Sequence, residues 1–288
     1  MDKNKQEILM KNNKLIKTRY SLNYVQNKVF QLILFNSQKE NDSLRVAHIP
    51  KRQFEEILDT NNHKTVKGIT TILQTLRKAD IWIIEGHKWK NHGFIAPFEY
   101  DEKTEIFSIT MFEEVHSLIM SYLNGYTPIN LDVFFSFKSF YSQKLYELLR
   151  LWSNTKTIIN YKVDDLKELL MLENKYPMYR DFKKRIIQPS RKELNEKGLM
   201  EVDIKEHKEG RKVVSIDFIV TDKDKRKYFD KESIPDQKQQ KSYHKEKKLK
   251  FMNFDERQYD YVDLEKKLLG WDEEEEEIIK AIHEEKVD

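Results

Sequence analysis

The stretch from Tyr176 to Lys197, YPMYRDFKKRIIQPSRKELNEK, predicts a helix with one basic side and one apolar side. At about 100° of rotation per residue, one side collects Arg180, Lys184, Gln188, Arg191 and Asn195, flanked by Lys183, Arg185 and Lys192. The roughly opposite side collects Met178, Phe182, Ile186 and Pro189. The apolar side requires a protein core. The basic side is suited to phosphate groups, although a basic side is also the ordinary solvated surface of an amphipathic helix.

The sequence after this helix predicts two strands joined by a polar tip. Glu201–Ile204 and Val213–Val220 have strand patterns, and the segment EHKEGRK lies between them. A helix followed by such a hairpin is the ending of a winged-helix domain, in which the helix enters the major groove and the wing contacts the DNA backbone. Residues 175–212 carry 12 lysines and arginines against 7 acidic residues, whereas the whole chain has a net charge of only +3. The positive charge is therefore concentrated in this segment.

Pro189 lies inside the predicted helix, where it cannot donate a hydrogen bond to the carbonyl of Arg185. The amphipathic pattern resumes at Glu193 and Leu194, so we expect a kink at Pro189 rather than the end of the helix. Such a kink would tilt the N-terminal half of the helix into a DNA groove.

The composition limits the kind of protein. The 288 residues are enough for two ordinary domains and a tail. The absence of cysteine excludes disulfides and thiolate metal ligands, and no apolar run approaches the roughly 18 residues of a membrane span. The polar N-terminal segment lacks the apolar centre of a signal peptide. We therefore expect a soluble, cytoplasmic protein that does not bind membranes.

The first half of the chain predicts a second winged-helix pattern. Helices are predicted at residues 23–35, after Pro50 (KRQFEEILD), at 64–78 and at 111–123, and strands at 44–49, 81–85, 94–98 and 105–109. Pro50 is expected to be the first residue of its helix, and GHKWKNHG to be a polar, basic turn between two strands. Helices at 137–152 and 163–171 precede the helix at 176–197, so the same order of elements occurs twice.

These elements predict an α+β fold of two tandem winged-helix domains. The turn-forming residues of segment 124–130 (NGYTPIN) mark the boundary, which gives an N-terminal domain at 1–128 and a C-terminal domain at 129–222. Residues 223–288 are predicted to be a largely disordered, charged tail with an aromatic-rich motif at 251–271. The tail is basic up to residue 250 and acidic beyond it. A basic body with an acidic end fits a protein that binds nucleic acid.

Several short segments occur in the order seen in a known protein family. They are Asn13–Ile16, Tyr20–Leu22, Leu145–Leu149, Phe182–Arg185 with Pro189, Glu193 and Asn195, and Gly210–Val213. Over about residues 13–220, the chain resembles the iteron-binding replication initiators of theta-replicating plasmids, the RepA/RepE type of initiator replication protein. The resemblance implies two winged-helix domains that bind repeated DNA sites, the iterons, at a plasmid origin.

The resemblance also implies roles for the two domains. The second domain would supply the main recognition helix, with Lys183, Lys184 and Arg185 in the groove. The first would contribute backbone contacts and a dimer interface, so we expect a homodimer in equilibrium with the monomer, the dimer repressing its own promoter. Our helical-face argument adds Arg180, Gln188, Arg191 and Lys192 to the DNA-binding residues, and the wing adds Arg211 and Lys212. The implied partners are double-stranded DNA and host replication proteins, including the host initiator and helicase.

Catalytic patterns are absent from the sequence. Tyr141 and Lys144 form the Tyr-x-x-Lys string of rolling-circle nucleases, but no two histidines are separated by one residue, so the required metal pair is missing. His87 and His92 flank a predicted turn without any cysteine or carboxylate pattern that would complete a metal site. The chain also lacks a P-loop and a Gly-x-Ser-x-Gly string. We expect a non-catalytic protein without cofactor or metal.

Two other functions fit parts of the sequence. A winged-helix transcriptional repressor without initiator activity would need the same helix and wing, but no tail that docks a partner. A helicase-loading adaptor would act mainly through residues 223–288.

Overall fold

The computed structural model describes residues 7–40, 45–85, 87–120 and 125–224. The predicted disordered tail and its aromatic motif fall almost entirely on residues 225–288, which lie outside the described residues. In the described ranges, no helix is long and apolar enough to cross a membrane.

The first half of the chain forms six helices and seven strands within the described ranges. In chain order they are β1 (Ile8–Asn12), α1 (Asn13–Lys17), β2 (Arg19–Tyr20), α2 (Tyr24–Glu40), β3 (Val46–Pro50), α3 (Lys51–Ile57), α4 (Asn61–Lys64), α5 (Val66–Arg77), β4 (Asp80–Glu85), β5 (Lys88–Gly93), β6 (Ile95–Asp101), β7 (Ile106–Met111) and α6 (Glu113–Met120). One antiparallel sheet has the order β3-β7-β6, and another has the order β2-β4-β5. The sheet β3-β7-β6, with α2, α3 and α5, is the first winged-helix domain.

The second half repeats this arrangement. Its elements are β8 (Tyr126–Asn130), α7 (Leu131–Ser136), α8 (Phe140–Arg150), β9 (Ile158–Lys162), α9 (Val163–Leu169), α10 (Tyr179–Phe182), a π-turn (Lys183–Ile187), α11 (Gln188–Lys197), β10 (Met200–Glu209) and β11 (Lys212–Asp222). In the antiparallel sheet β10-β11-β9, the last strand pairs with the strand that precedes α9, as β7 pairs with β3 in the first domain. The predicted tandem winged-helix fold is confirmed.

Two predictions about the first domain are wrong. Residues 88–93 of the predicted turn GHKWKNHG form β5, which pairs with β4 from Asp80↔Gly93 to Glu85↔Lys88. Pairing with a neighbouring strand outweighs the weak strand propensity of this polar segment. The wing is instead the hairpin β6–β7, whose tip is the mixed-charge sequence EKTE at 102–105. Pro50 ends β3 and precedes α3 rather than beginning it.

The segment at which we predict the domain boundary contains a strand. β8 pairs with β1 from Ile8↔Asn130 to Asn12↔Tyr126, so the predicted boundary after residue 128 lies inside a two-stranded sheet. Gly125 precedes β8 with a φ of +67°, and the side chain of Asn130 caps α7 by accepting a hydrogen bond from the Val133 N–H. The turn-forming residues thus lie at the two ends of a strand. The limits 1–128 and 129–222 stay a prediction.

Helix α8 is buried at every residue except Tyr141, although half of its sequence, FYSQKLYELLR, is polar. Towards the N-terminal segment, Glu147 accepts a 2.6 Å hydrogen bond from the Lys11 ammonium. The ammonium of Lys144 donates to the carbonyls of Ile16 and Thr18 at 2.7 and 3.0 Å. Buried charges are stable only when they are paired and hydrogen-bonded. These contacts therefore hold α8 against the start of the first domain.

The other end of α8 contacts the second domain. Arg150 donates to both carboxylate oxygens of Asp222 at 2.7 Å and to Asp224 at 2.7 Å. It also donates to the carbonyl of Pro128 in β8 at 3.2 Å. The guanidinium is fully buried, and a planar fork of this kind suits bidentate pairing with a carboxylate. Helix α8 thus connects the end of β11 to β8, and through β8 to β1.

The buried Lys144 makes stability depend on pH. Burial lowers the pKa of Lys144 to about 7; neighbouring Lys11 adds to the shift and Glu147 opposes it. An ordinary lysine has a pKa of roughly 10.4, so between these values the unfolded chain binds more protons than the folded one. The free energy of unfolding therefore rises with pH in this window, by at most about 1.4 kcal/mol per pH unit from this group.

Substitution Lys144→Met should remove this dependence. We expect Lys144→Met to be less stable than the wild type, because the carbonyls of Ile16 and Thr18 lose a donor. The stability difference should widen from pH 7 to pH 9, as measured by urea unfolding. Lys11 is present in both proteins, so its own titration contributes to both curves. A constant difference over this range would contradict the assignment.

Candidate nucleic-acid interface

Helices α10 and α11, with the π-turn between them, form one continuous helical segment from Tyr179 to Lys197, which we call the basic helix. The backbone stays helical through both junctions, with φ and ψ of −58° and −49° at Phe182 and of −65° and −46° at Gln188. Its buried side consists of Phe182, Ile186, Ile187, Ser190 and Leu194. These side chains seat the helix on the core of the second domain.

The π-turn explains why the buried side differs from the predicted one. At its end the Gln188 N–H donates to the carbonyl of Lys183, five residues earlier, so one extra residue is accommodated in the turn. The extra residue shifts the inward positions after it, and Ser190 rather than Pro189 faces the core. Met178, predicted to be on the apolar side, is 58% exposed. The helix continues past Pro189, as expected, and the kink of its axis stays a prediction.

Three cations on the basic helix are exposed and unpaired. Arg180, Lys184 and Arg185, which we call the free row, form no ion pair or side-chain hydrogen bond within the described ranges. Gln188, half-buried, and Lys192, exposed, continue this row at helical spacing. Lys192 lies 3.8 Å from Glu196, a solvated pair of little energetic weight. The free row presents the donors that phosphates and guanine bases accept.

The neighbouring side of the basic helix contacts β10 instead of facing solvent. Lys183 pairs with Glu206 at 2.6 Å, and Arg191 pairs with Asp203 at 2.8 Å. Both cations belong to the set that the sequence assigns to DNA binding. The structure therefore divides that set into the free row and a group of residues already paired with β10, which sequence reasoning did not separate.

Asn195 has a structural partner in the same strand. Its amide nitrogen donates to the Val202 carbonyl at 3.2 Å, and its oxygen accepts from the Val202 N–H at 2.7 Å. β10 is an edge strand of its sheet, so Asn195 satisfies two backbone groups that no further strand pairs. Asn195 thus joins the helix to the base of the wing.

The wing is longer and narrower than predicted. Strands β10 and β11 continue to Glu209 and from Lys212, so only Gly210 and Arg211 form the turn, where the sequence predicts a tip of seven residues. Gly210 has a φ of +59°, which glycine adopts at no steric cost. Arg211 and Lys212 are both exposed at this tip, with Lys212 3.9 Å from Asp164. Both residues thus lie at the wing tip, and their contact with the DNA backbone stays a prediction.

The corresponding helix of the first domain, α5, is less basic on its open side. Its exposed residues include Lys67, Thr71, Gln74 and Thr75. Helix α4 packs closely against the start of α5, as the space at Gly68 shows: a Cβ there would lie only 2.0 Å from the carbonyl oxygen of Asn62. Two cations at opposite ends of the helix, Lys67 and the exposed Arg77, with hydroxyl and amide groups between them, offer fewer phosphate contacts than the free row does.

The residues considered for catalysis do not form a reaction site in the described ranges. No group of three histidine, aspartate or glutamate side chains there is arranged to hold a metal ion. Lys144 of the Tyr-x-x-Lys string is fully buried and donates to backbone carbonyls. His92 lies 3.6 Å from Glu114. That the chain is not an enzyme stays a prediction.

Two family models match this chain in succession. The model described as "Initiator Replication protein, WH1" matches residues 8–150, and the model described as "Initiator Rep protein, WH2" matches residues 162–220. The chain belongs to the initiator Rep protein family. The two matches cover the first and second winged-helix domains, with α8 included in the first.

This initiator Rep protein is similar to a curated relative and to a solved structure. A curated replication initiation protein from Escherichia coli is 25% identical over 203 residues, 65% of this chain and 62% of the relative. The match thus spans less than two thirds of that relative's length. The crystal structure of the Pi initiator protein in complex with iteron DNA has a TM-score of 0.60 at 20% identity, and the match covers 77% of this chain and 100% of that one. The two proteins share the fold.

The contacts of Asn195 predict a purely structural role. Substitution Asn195→Ala leaves the buried Val202 with two unpaired backbone groups, so we expect a loss of about 1–3 kcal/mol in the free energy of unfolding. Urea unfolding measures it. The control is Lys192→Ala, an exposed change on the same helix, which should stay within roughly 0.5 kcal/mol of wild type. Equal stabilities of the two variants would contradict the role of Asn195.

Proposed function

We propose that this chain is a DNA-binding initiator of plasmid replication, and that the free row of its basic helix reads the major groove of duplex DNA. The observation that carries the proposal is the free row itself: three exposed, unpaired cations on the last helix before the wing of a winged-helix domain. In such domains this helix is the element that enters the groove. Membership of the initiator Rep protein family supports the replication role.

The cations of the interface have distinct chemistry. Arg180 and Arg185 each carry a planar fork that pairs with O6 and N7 of guanine, a contact worth about 1–3 kcal/mol of discrimination. Lys184 acts as a point charge and is better suited to phosphate. Arg211 and Lys212, on a two-residue tip, would contact the backbone beside the helix. Base contacts would thus come from the helix, and backbone contacts from both elements.

The kind of DNA and the assembly are further parts of the proposal. We infer that the sites are iterons at a plasmid origin, supported by the shared fold with the Pi initiator protein, whose structure was solved with iteron DNA. We also propose a monomer that initiates, a homodimer that represses its own promoter, and contacts with host replication proteins, all acting in the cytoplasm where plasmid DNA lies. The chain is proposed to act without catalysis.

A matched pair of double variants tests the free row. Duplexes selected by the wild-type chain from a random pool serve as specific DNA, and scrambled duplexes as the comparison. Lys184→Ala/Arg185→Ala should lose roughly 10- to 100-fold in affinity for the selected duplex, since one arginine–base contact and one phosphate contact are removed. Its preference over the scrambled duplex should fall. The slope of log K against log salt should become shallower by about 0.9, the effect of one lost phosphate contact.

The control for this variant is Arg52→Ala/Lys156→Ala, which removes the same charges from exposed positions in α3 and in the turn after α8, outside α5, the basic helix and both wings. It should keep both the affinity and the salt slope. Equal losses in the two double variants would show that only net charge matters and would contradict the proposal.

The same variants distinguish an initiator from a plain repressor. An origin plasmid supplied with the wild-type chain should be maintained in cells, and one supplied with Lys184→Ala/Arg185→Ala should be lost. If the wild-type chain binds its selected sites and represses a promoter that carries them, but never maintains such a plasmid, the repressor alternative is correct.

A further inference from the structure

Two carboxylates on β10 face the basic helix and pair with two of its cations outside the free row. Glu206 accepts from Lys183 at 2.6 Å and from the Tyr179 hydroxyl at 2.7 Å, and Asp203 accepts from Arg191 at 2.8 Å. Both carboxylates lie on the strand that begins the wing, next to a surface proposed to meet phosphates. An acidic group in this position repels phosphate, so a role in DNA binding must come from what it does to its cationic partners.

We propose that Glu206, assisted by Asp203, is a specificity-determining counter-charge that withholds Lys183 and Arg191 from phosphates and so suppresses binding to non-specific DNA. This inference rests on the proposed function of the free row. In a correctly read site, the free row fixes the register and the withheld cations are not needed. In a misread site, any mobile cation that reaches a phosphate would add affinity without regard to sequence.

The two pairs differ in strength, which makes Glu206 the main residue. The side chains of Glu206 and Lys183 are 21% and 35% exposed, whereas Asp203 is 72% exposed. Solvent and salt screen an exposed pair more strongly. Burial alone would raise the pKa of Glu206, but hydrogen bonds from Lys183 and Tyr179 outweigh it and keep that pKa below its ordinary value. Glu206 therefore stays ionised at neutral pH and retains its hold on Lys183.

Tyr179 fixes the position of this counter-charge. Its hydroxyl donates to Glu206, and burial together with the neighbouring carboxylate raises the pKa of Tyr179 well above its usual value. The phenol therefore remains a donor throughout the working pH range. A glutamine at position 206 keeps an oxygen for this hydrogen bond and loses only the charge. Glu206→Gln thus changes the electrostatics while retaining the attachment of the wing to the helix.

The test compares Glu206→Gln with wild type on scrambled and on selected duplexes across a salt series. Freeing Lys183 should raise affinity for scrambled DNA roughly three- to tenfold and steepen its salt slope by about 0.9, the effect of one added phosphate contact. Affinity for the selected duplex should change less, so the specificity ratio falls. Asp203→Asn should act in the same direction more weakly. Glu201→Gln is the control, because Glu201 lies on β10 like Glu206 but pairs with Lys223, which follows β11, and not with a cation of the basic helix.

A double variant identifies the cation responsible. In a Lys183→Met background, Glu206→Gln should no longer raise affinity for scrambled DNA, because no cation is left to release. If the gain persists there, removal of a repulsive carboxylate explains it and the proposal is overturned. An unchanged specificity ratio in Glu206→Gln, with Lys184→Ala/Arg185→Ala still defective, would overturn this inference alone. If the wild-type chain selects no duplex from the random pool, the proposed function itself fails.

Discussion

The described structure depends on the buried polar side chains of α8. Lys144, Glu147 and Arg150 are fully removed from water, so each must be paired within the protein. Their partners come from residues 11–18, from Pro128 and from the end of β11. Apolar residues would bury the same area without specifying partners, whereas these polar contacts form in only one arrangement of the chain segments. This constraint joins the two winged-helix domains, whose described residues belong to one compact unit.

Most of the helices and the winged-helix order are predictable from local patterns, because α5 and the part of the basic helix before Ile187 follow helical periodicity. The strands β1, β8 and β5 are not. β1 and β8 pair across more than a hundred residues, and β5 is a polar segment held by β4. Whether these segments form strands depends on the strand that pairs with them, and the residues next to each segment in the sequence do not reveal that partner. The glycine and asparagine that suggested a linker are the turn and the cap beside β8.

The candidate interface is likewise only partly predictable from the sequence. Its location and the exposure of Arg180, Lys184 and Arg185 follow from the sequence, since the basic positions cluster on one helix. The pairing of Lys183 and Arg191 with β10 does not, because one residue inserted at the π-turn changes the phase of the helix. The acidic residues 203 and 206, which follow the basic helix in the sequence, were the available signal. Only the ion pairs of the folded chain show that they contact the cations of the helix.

The free row of the basic helix is expected to enter a groove of duplex DNA. The chain contains no cysteine, so one introduced cysteine can carry an iron chelate that cuts nearby DNA. Lys192→Cys places the chelate on the basic helix, at the end of the line that continues the free row. Thr155→Cys places it in the turn after α8. We expect cuts confined to a few base pairs of each selected site from position 192, and no localised cuts from position 155. Localised cuts from 155 with none from 192 would contradict it.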